Sequence, residues 1–374
     1  MPILTTSNCS LDLDCYPKAN INIQQPWDAA DLYLIEEAHI GHHVAIVNDQ
    51  WGALTCFAST TSQTTYSWTD SYCSQLASQN NLAKLSAIDL PNTTLASGIP
   101  SFPAATDSLW IQCPKSFDQL HWWLSLALIQ VGPGVRVFIA GMAKHIPIKW
   151  LNWLETHNDN YQQYPIKKKA RLMSFDLGSK LPPITALKSY LGLDNEPVAA
   201  LPGVFSRDHM DIGSRFFIHH LSQRPALSGK VVDLGCGNGL LSTAVLKLSK
   251  PAALQLILCD DSALALNAAE QNLSARGYQH GEFHHTDALL GIAGPIDTIL
   301  CNPPFHSGNR VSTAAAERMF KQASKVLAKE GQLLVIANRH LAYAASLKKL
   351  FKQVQLVASD AKFVIYCCKN SRSH

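Results

Sequence analysis

The run KVVDLGCGNGLLSTAVLKL, residues 230–248, decides the fold. It opens as an apolar strand, bends through Gly235, Gly237 and Gly239, and continues as apolar residues at helical spacing. A strand, a glycine turn and a helix in that order make the first step of a doubly wound α/β domain. Glycine permits positive φ and close approach to the backbone, so the bend, with Cys236 and Asn238 inside it, is a candidate cofactor cradle. The spacing is G-x-G-x-G, not the G-x-G-x-x-G of dinucleotide-binding turns, and Asp233 stands two residues ahead of it. A carboxylate there can meet an ammonium group. That favours the methionine part of S-adenosyl-L-methionine over a pyrophosphate.

Towards the C-terminus, the strand-like run LQLILCDD (254–261) ends on Asp260 and Asp261, the first of them 21 residues beyond Gly239. A strand-helix-strand step gives that distance, and a carboxylate at the strand end can accept from both hydroxyls of a ribose. Asp260 closes the apolar run and is the first choice, Asp261 the second. After the next strand, in GEFHHTDALL (281–290), Asp287 can accept from an adenine amino group.

The strand DTILCNPPFH (297–306) then delivers Asn302-Pro303-Pro304-Phe305 to the sheet edge where ligands bind in such folds. An aromatic amine is a weak nucleophile because its lone pair is delocalised into the ring. Accepting hydrogen bonds from that NH2, the Asn302 amide oxygen and the Pro303 carbonyl would aim its nitrogen at an electrophile and favour sp3 character as charge develops. The prolines stiffen the corner. Phe305 offers a face on which a flipped-out base can stack. The pattern predicts methyl transfer to a planar NH2, which guanine N2, adenine N6 and a protein glutamine all present. Among the histidines, only His306 and His340 adjoin strand ends.

The 374 residues suit two domains, and 47% hydrophobic with 16% charged residues is a globular composition. No apolar run is long enough for a membrane span, and the first ten residues carry no secretion signal, so no membrane and a cytoplasmic location are expected. Ten cysteines without a C-x-x-C pair predict reduced, structural thiols and no metal site. Residues 1–196 hold 12 Lys+Arg against 16 Asp+Glu (−4), whereas residues 197–374 hold 19 against 12 (+7). The C-terminal half suits a polyanion.

Landmarks recur about 190 residues apart. Asp70-Ser71 followed by Asn81-Leu82 matches Asp261-Ser262 followed by Asn272-Leu273, and VRVFIAGMAKHI (135–146) is similar to LLVIANRHL (333–341). Each copy alternates strand-like and helical stretches, which predicts two tandem doubly wound parallel sheets, assigned to residues 1–195 and 196–374. The Pro- and Gly-containing segment 176–203 joins them, with a short helix expected in TALKSYLG (185–192).

DLGCGNG (233–239), CNPPFH (301–306), FSRDHMDIGSRFF (205–217) and VIANRHLAYAASLKKLF (335–351) together resemble the bacterial ribosomal RNA guanine-N2 methyltransferases. Of that family's small-subunit and large-subunit branches, QPWDAADLYLIEEA (25–38), IVNDQWGAL (46–54) and KKKARLMSF (167–175) are more similar to the second. The resemblance implies Rossmann-like domains, a target-base pocket from Asn302 to Phe305, and a cofactor held by Asp233, the glycine bend, Asp260 and Asp287. It also implies that Phe205, Arg207 and Arg215 lie near the cofactor or RNA entrance, and that 23S ribosomal RNA is the partner. Arg310, Arg318, Lys321, Lys325, Arg339, Lys348, Lys349 and Lys352 would guide phosphates to the pocket. The first half would be a degenerate copy that binds no cofactor, since it has only Gly52 in NDQWGAL and Cys113-Pro114-Lys115 where Asn-Pro-Pro-Phe should fall. Its Lys167, Lys168, Lys169 and Arg171 would be a solvated run or hold RNA. A non-catalytic RNA-binding assembly protein is the reading from outside the enzymes.

Overall fold

A computed structural model of the chain describes residues 2–5, 9–18, 25–38, 41–85, 92–249, 253–279, 281–304, 313–341 and 343–370. It divides into two compact units, residues 1–186 and 187–374.

In the first unit a short antiparallel pair, β1 (Ile3–Thr5) and β2 (Ser10–Asp12), precedes the main sheet. The sheet holds β3 (His43–Val47), β4 (Thr64–Trp68), β5 (Asn92–Ala96), β6 (Ser108–Gln112), β7 (Arg136–Met142), β8 (Asp159–Gln163) and β9 (Ala170–Asp176). In the second, the hairpin β10 (Lys188–Leu191) and β11 (Pro197–Ala200) precedes β12 (Gly229–Leu234), β13 (Leu254–Asp260), β14 (Gly281–His285), β15 (Ile296–Cys301), β16 (Leu327–Asn338), β17 (Gln353–Ser359) and β18 (Phe363–Lys369). The spatial orders are β5-β4-β3-β6-β7-β9-β8 and β14-β13-β12-β15-β16-β18-β17. They are the same topology written twice. The chain is an α/β protein of two tandem doubly wound, Rossmann-like units.

Each sheet is mixed where an all-parallel one was expected. Its first five strands run parallel, and the last two add as an antiparallel hairpin. Parallel neighbours need a crossover of a dozen or more residues, and only residues 360–362 lie between β17 and β18. The helix expected in 185–192 is likewise replaced by β10, paired in register with β11. A boundary after residue 195 falls inside that hairpin, and the compact units part after residue 186.

Strand alternation explains why helices cover both faces of the second sheet. Val231 packs with Leu241, Ala244 and Val245 of the helix Leu240–Leu248, and its neighbour Val232 with Phe320 and Ala323 of the helix Ala314–Val326. Burying each Val, Leu or Phe among them contributes about 1.5–3 kcal/mol.

The repeated Asn-Leu landmark has a job in both copies. In the helix Tyr72–Lys84, Asn81 donates through Nδ2 to the Trp51 carbonyl (2.8 Å) and the Asp14 carbonyl (2.9 Å), and accepts at Oδ1 from the Asp14 N–H (2.8 Å). In the helix Ala263–Ser274, Asn272 donates to the Asn238 carbonyl (2.9 Å) and the Ala199 carbonyl (2.8 Å), and accepts from the Ala199 N–H (2.9 Å). Trp51 and Asn238 each precede the glycine that begins the next helix, so one buried amide fastens the bend in either unit.

Candidate active site

From β12 the chain steps to β13 and β14 on one side, then returns to β15 on the other. The crevice at the carboxyl ends of β12 and β15 is therefore the switch point where doubly wound sheets bind ligands. The glycine bend follows β12 and the Asn-Pro-Pro corner follows β15, with Leu234 and Cys301 paired immediately before them. A Cβ built on Gly235 would stand 4.0 Å from the Asn302 carbonyl oxygen. The two motifs face each other.

Gly237 has φ +54°, and a Cβ there would meet no heavy atom within 4 Å, so the bend presents bare backbone to open space. Gly239 differs. Its Cβ would lie 2.9 Å from the Cα of Ala269, so it is glycine to let two helices pack. Asp260 steadies the bend from β13, with Oδ2 accepting from the Gly237 N–H (2.8 Å) and Oδ1 from the Ser262 N–H (2.9 Å). Asp261 lies beside it, its carbonyl 2.9 Å from Nε2 of His285.

Asp233 is buried beneath the bend and accepts from the Ser242 hydroxyl (2.7 Å). Burial pushes its carboxyl up to about 6. Instead of lying open to an ammonium group, it braces the strand against the following helix. Burial also raises the Cys236 thiol well above its ordinary range, which leaves it a neutral packing group. Asn238 donates through Nδ2 to the Tyr190 hydroxyl (3.2 Å) and the Ser206 carbonyl (3.3 Å), bringing segment 205–207 to the bend. There Phe205 is 60% exposed and Arg207 is buried. Asp287 is buried with the Arg318 guanidinium at 3.3 Å, so Arg318 is tied to the site and is not a loose phosphate guide.

Asn302 is held from one end. Its Nδ2 donates to Ser214 Oγ (3.1 Å) and Asp211 Oδ2 (3.4 Å) at the start of the helix Ile212–Ser222. Its Oδ1 is buried and has no hydrogen-bond partner among the described residues. A buried acceptor left bare costs about 1–3 kcal/mol, a cost that a donor bound at this corner would relieve. Pro303 is buried and Pro304 exposed at the same corner. Phe305, His306 and Arg310 lie outside the described residues.

Arg215 is exposed one turn into the helix that holds Asn302, and Arg339 with His340 is exposed at the carboxyl end of β16. Lys321, Lys325, Lys348, Lys349 and Lys352 are exposed on the same unit. In the first unit Lys167 pairs with Glu37 and Glu36 and lies over the Tyr33 ring, and Arg171 donates to Gln163, so both are engaged within the fold. Among the described residues there is no His/Cys/Asp/Glu group suited to a metal ion and no helix long and apolar enough to cross a membrane.

A model of the methyltransferase small domain matches residues 195–367, and one of the RLMG N-terminal domain matches residues 1–179. A protein of Pseudomonas aeruginosa named ribosomal RNA large subunit methyltransferase G is 35% identical over 98% of this chain and 99% of its own length. The chain belongs to the ribosomal RNA large subunit methyltransferase G family. Family members from Stutzerimonas stutzeri (37% identity, 98% of each chain) and Streptomyces avermitilis (35%, 97% of each) match as fully. A solved T. thermophilus 16S rRNA N2 methyltransferase in complex with AdoMet and guanosine has the same fold, with TM-score 0.80 at 18% identity over 98% of this chain and 97% of that one. Asp211 and Ser214 are the residues that motif reading missed. Asp211 caps a helix with Ser214 in its first turn, and nothing in the sequence reveals their contact to Asn302 some ninety positions away.

Proposed function

We propose that the chain transfers the methyl group of S-adenosylmethionine to the exocyclic N2 of a guanine in 23S ribosomal RNA. The buried, unpartnered Oδ1 of Asn302 opposite an open glycine bend carries the reading. The names of the full-length relatives select large-subunit RNA.

The site residues fit the cofactor. Gly235, Gly237 and Gly239 with Cys236 and Asn238 would cradle its amino-acid part, Asp260 with Asp261 beside it the ribose, and Asp287 the adenine amino group. S-adenosylmethionine supplies an electrophilic sulfonium methyl group when bound. Asn302 Oδ1 and the Pro303 carbonyl accept from the guanine NH2, which draws the nitrogen out of conjugation as it gains positive charge. Its surplus proton then leaves to solvent. Pro304 keeps the corner rigid, and Phe305 stacks on the base. Phe205, Arg207, Arg215 and Arg339 would border the RNA entrance, and His306 and Arg310 are assigned to it from the sequence alone. The second unit is catalytic. The first binds no cofactor and serves as a structural or RNA-holding partner, and the work takes place in the cytoplasm.

Labelled methyl transfer to unmodified 23S RNA, 16S RNA and a release-factor protein tests this. Label should enter 23S RNA alone, as N2-methylguanine. Label only on 16S RNA, on an adenine or on protein would replace the reading, and binding of 23S RNA without transfer to any acceptor would leave an assembly protein. Asn302→Ala should lower turnover about a hundred- to a thousandfold while S-adenosylmethionine still binds.

A further inference from the structure

We infer that Asp211 and Ser214 are positioning residues whose task is to make the Asn302 amide an acceptor with one fixed orientation. The inference rests on the proposed methyl transfer, and it adds a requirement that the Asn-Pro-Pro corner does not contain in itself.

An asparagine side chain is ambivalent, with an oxygen that accepts and a nitrogen that donates at nearly the same place. Turned the wrong way, Asn302 would offer N–H groups to a substrate amine and repel it. Four contacts decide the matter. Asp211 caps the helix Ile212–Ser222, and its Oδ2 accepts from the Ser214 N–H (2.7 Å) and the Ser214 hydroxyl (3.2 Å). The same Oδ2 accepts from Asn302 Nδ2 at 3.4 Å, and Ser214 Oγ accepts from it at 3.1 Å. A carboxylate accepts only, so the reverse orientation would press Oδ1 against a negative oxygen. The nitrogen is committed, and Oδ1 is left buried and without a partner among the described residues. Donation to a charged group also polarises the amide, making Oδ1 the stronger acceptor for a nitrogen that turns cationic.

The first unit supplies an internal control. Asp28 caps the helix Ala29–Glu37, and Asp31, three residues on, accepts from Gln112 Nε2 at 2.8 Å. Gln112 ends β6 as Asn302 follows β15, so the cap-to-corner hydrogen bond belongs to the repeat. The second unit puts it to use.

Ser214→Ala, Ser214→Thr and Asp211→Asn in the full-length protein form the test, with turnover on 23S RNA, cofactor affinity and melting temperature measured for each. Asn caps helices as well as Asp, so Asp211→Asn keeps the fold while removing the charge. Ser214→Ala and Asp211→Asn should each lower kcat roughly ten- to a hundredfold with cofactor affinity and KM for RNA unchanged, because the corner is misaimed and not emptied. Ser214→Thr should restore most of the rate. In single turnover, adding Ser214→Ala to Asn302→Ala should change the residual rate by no more than about twofold, since both act through one amide. Wild-type kcat in both Ser214→Ala and Asp211→Asn, or a full loss from Ser214→Ala on top of Asn302→Ala, would overturn the inference. If the wild-type protein methylates a different acceptor, the guanine reading fails by itself, and the same variants assayed on that acceptor judge the positioning role.

Discussion

The two units keep one scaffold and differ in what it holds out to a ligand. Strand pairing aligns Val47 with Leu234, which sets Asn48, Gln50 and Gly52 against Gly235, Gly237 and Gly239. The first and third positions keep their left-handed backbone, with φ +70° at Asn48 and +82° at Gly52. A Cβ on Gly52 would come within 2.5 Å of the Cα of Ser78, the counterpart of the contact at Gly239, so both close helix packings persist. Only the open position has left the left-handed region, with Gln50 where the second unit has Gly237. By the same pairing Ile46 stands for Asp233, Thr69 for Asp260, Ile99 for Asp287, and Gln112-Cys113-Pro114 for Asn302-Pro303-Pro304. Residues that hold the fold recur, and those assigned to a ligand do not. The duplication thus separates two uses of glycine that a motif search counts as one.

Placing the first unit's residues into the second is the severest way to break this contrast. Gly237→Gln should have the largest effect, weakening S-adenosylmethionine at least about a hundredfold because the side chain fills the approach to the bend and left-handed φ costs about 1–2 kcal/mol off glycine. Calorimetric titration measures it, and near-normal affinity would remove Gly237 from the site.

Next comes pH. Asp233 is raised to about 6 from an unfolded value of 3.8 by burial, so its favourable contribution is complete below pH 3.8 and is lost as pH climbs through 6. The loss amounts to about 3 kcal/mol. Burial raises Asp49 as well, so the first unit has a slope of the same sign from a carboxyl at a different position. Denaturant unfolding from pH 4 to 7 should show the wild type losing stability relative to Asp233→Asn, and parallel curves would show that Asp233 is not held as described.

Asp260→Thr, which copies Thr69, should weaken the cofactor by about 2 kcal/mol through loss of charged acceptors, read in the same titration. Smallest are Asn81→Ala and Asn272→Ala, each freeing two carbonyls and one N–H in its own unit at about 1–2 kcal/mol in all. Urea unfolding should give similar losses for the two, and a much larger effect in one unit would mean that the shared clamp is not equivalent.

Much of this was legible in the chain because backbone requirements leave strong marks. Three glycines at alternate positions after an apolar run could only be a bend, and Asn-Pro-Pro at a strand end could only be a stiff corner. Spacing alone registered the repeat through Asn81 and Asn272. Direction was harder. Nothing in VASDAKFVIY (357–366) shows that a hairpin reverses the last two strands until their connection is counted, and KSYL (188–191) carries too few residues for its period to exclude a helix. Partner choice was hardest, because a charge has no address in sequence. Arg318 looked like a phosphate guide and pairs with Asp287. Asp233 looked like a ligand group and is buried beneath the bend, and Asp211, which no motif singled out, reaches Asn302.

The central claim is that Asn302 Oδ1 receives the acceptor's amino group beside the glycine bend. A crystal structure with S-adenosylhomocysteine and guanosine bound tests it most directly. The account predicts guanine N2 within about 3 Å of Asn302 Oδ1, with Nδ2 still on Ser214 and Asp211. Guanosine bound with N2 turned away from the corner, or Asn302 presenting Nδ2 to it, would contradict the account.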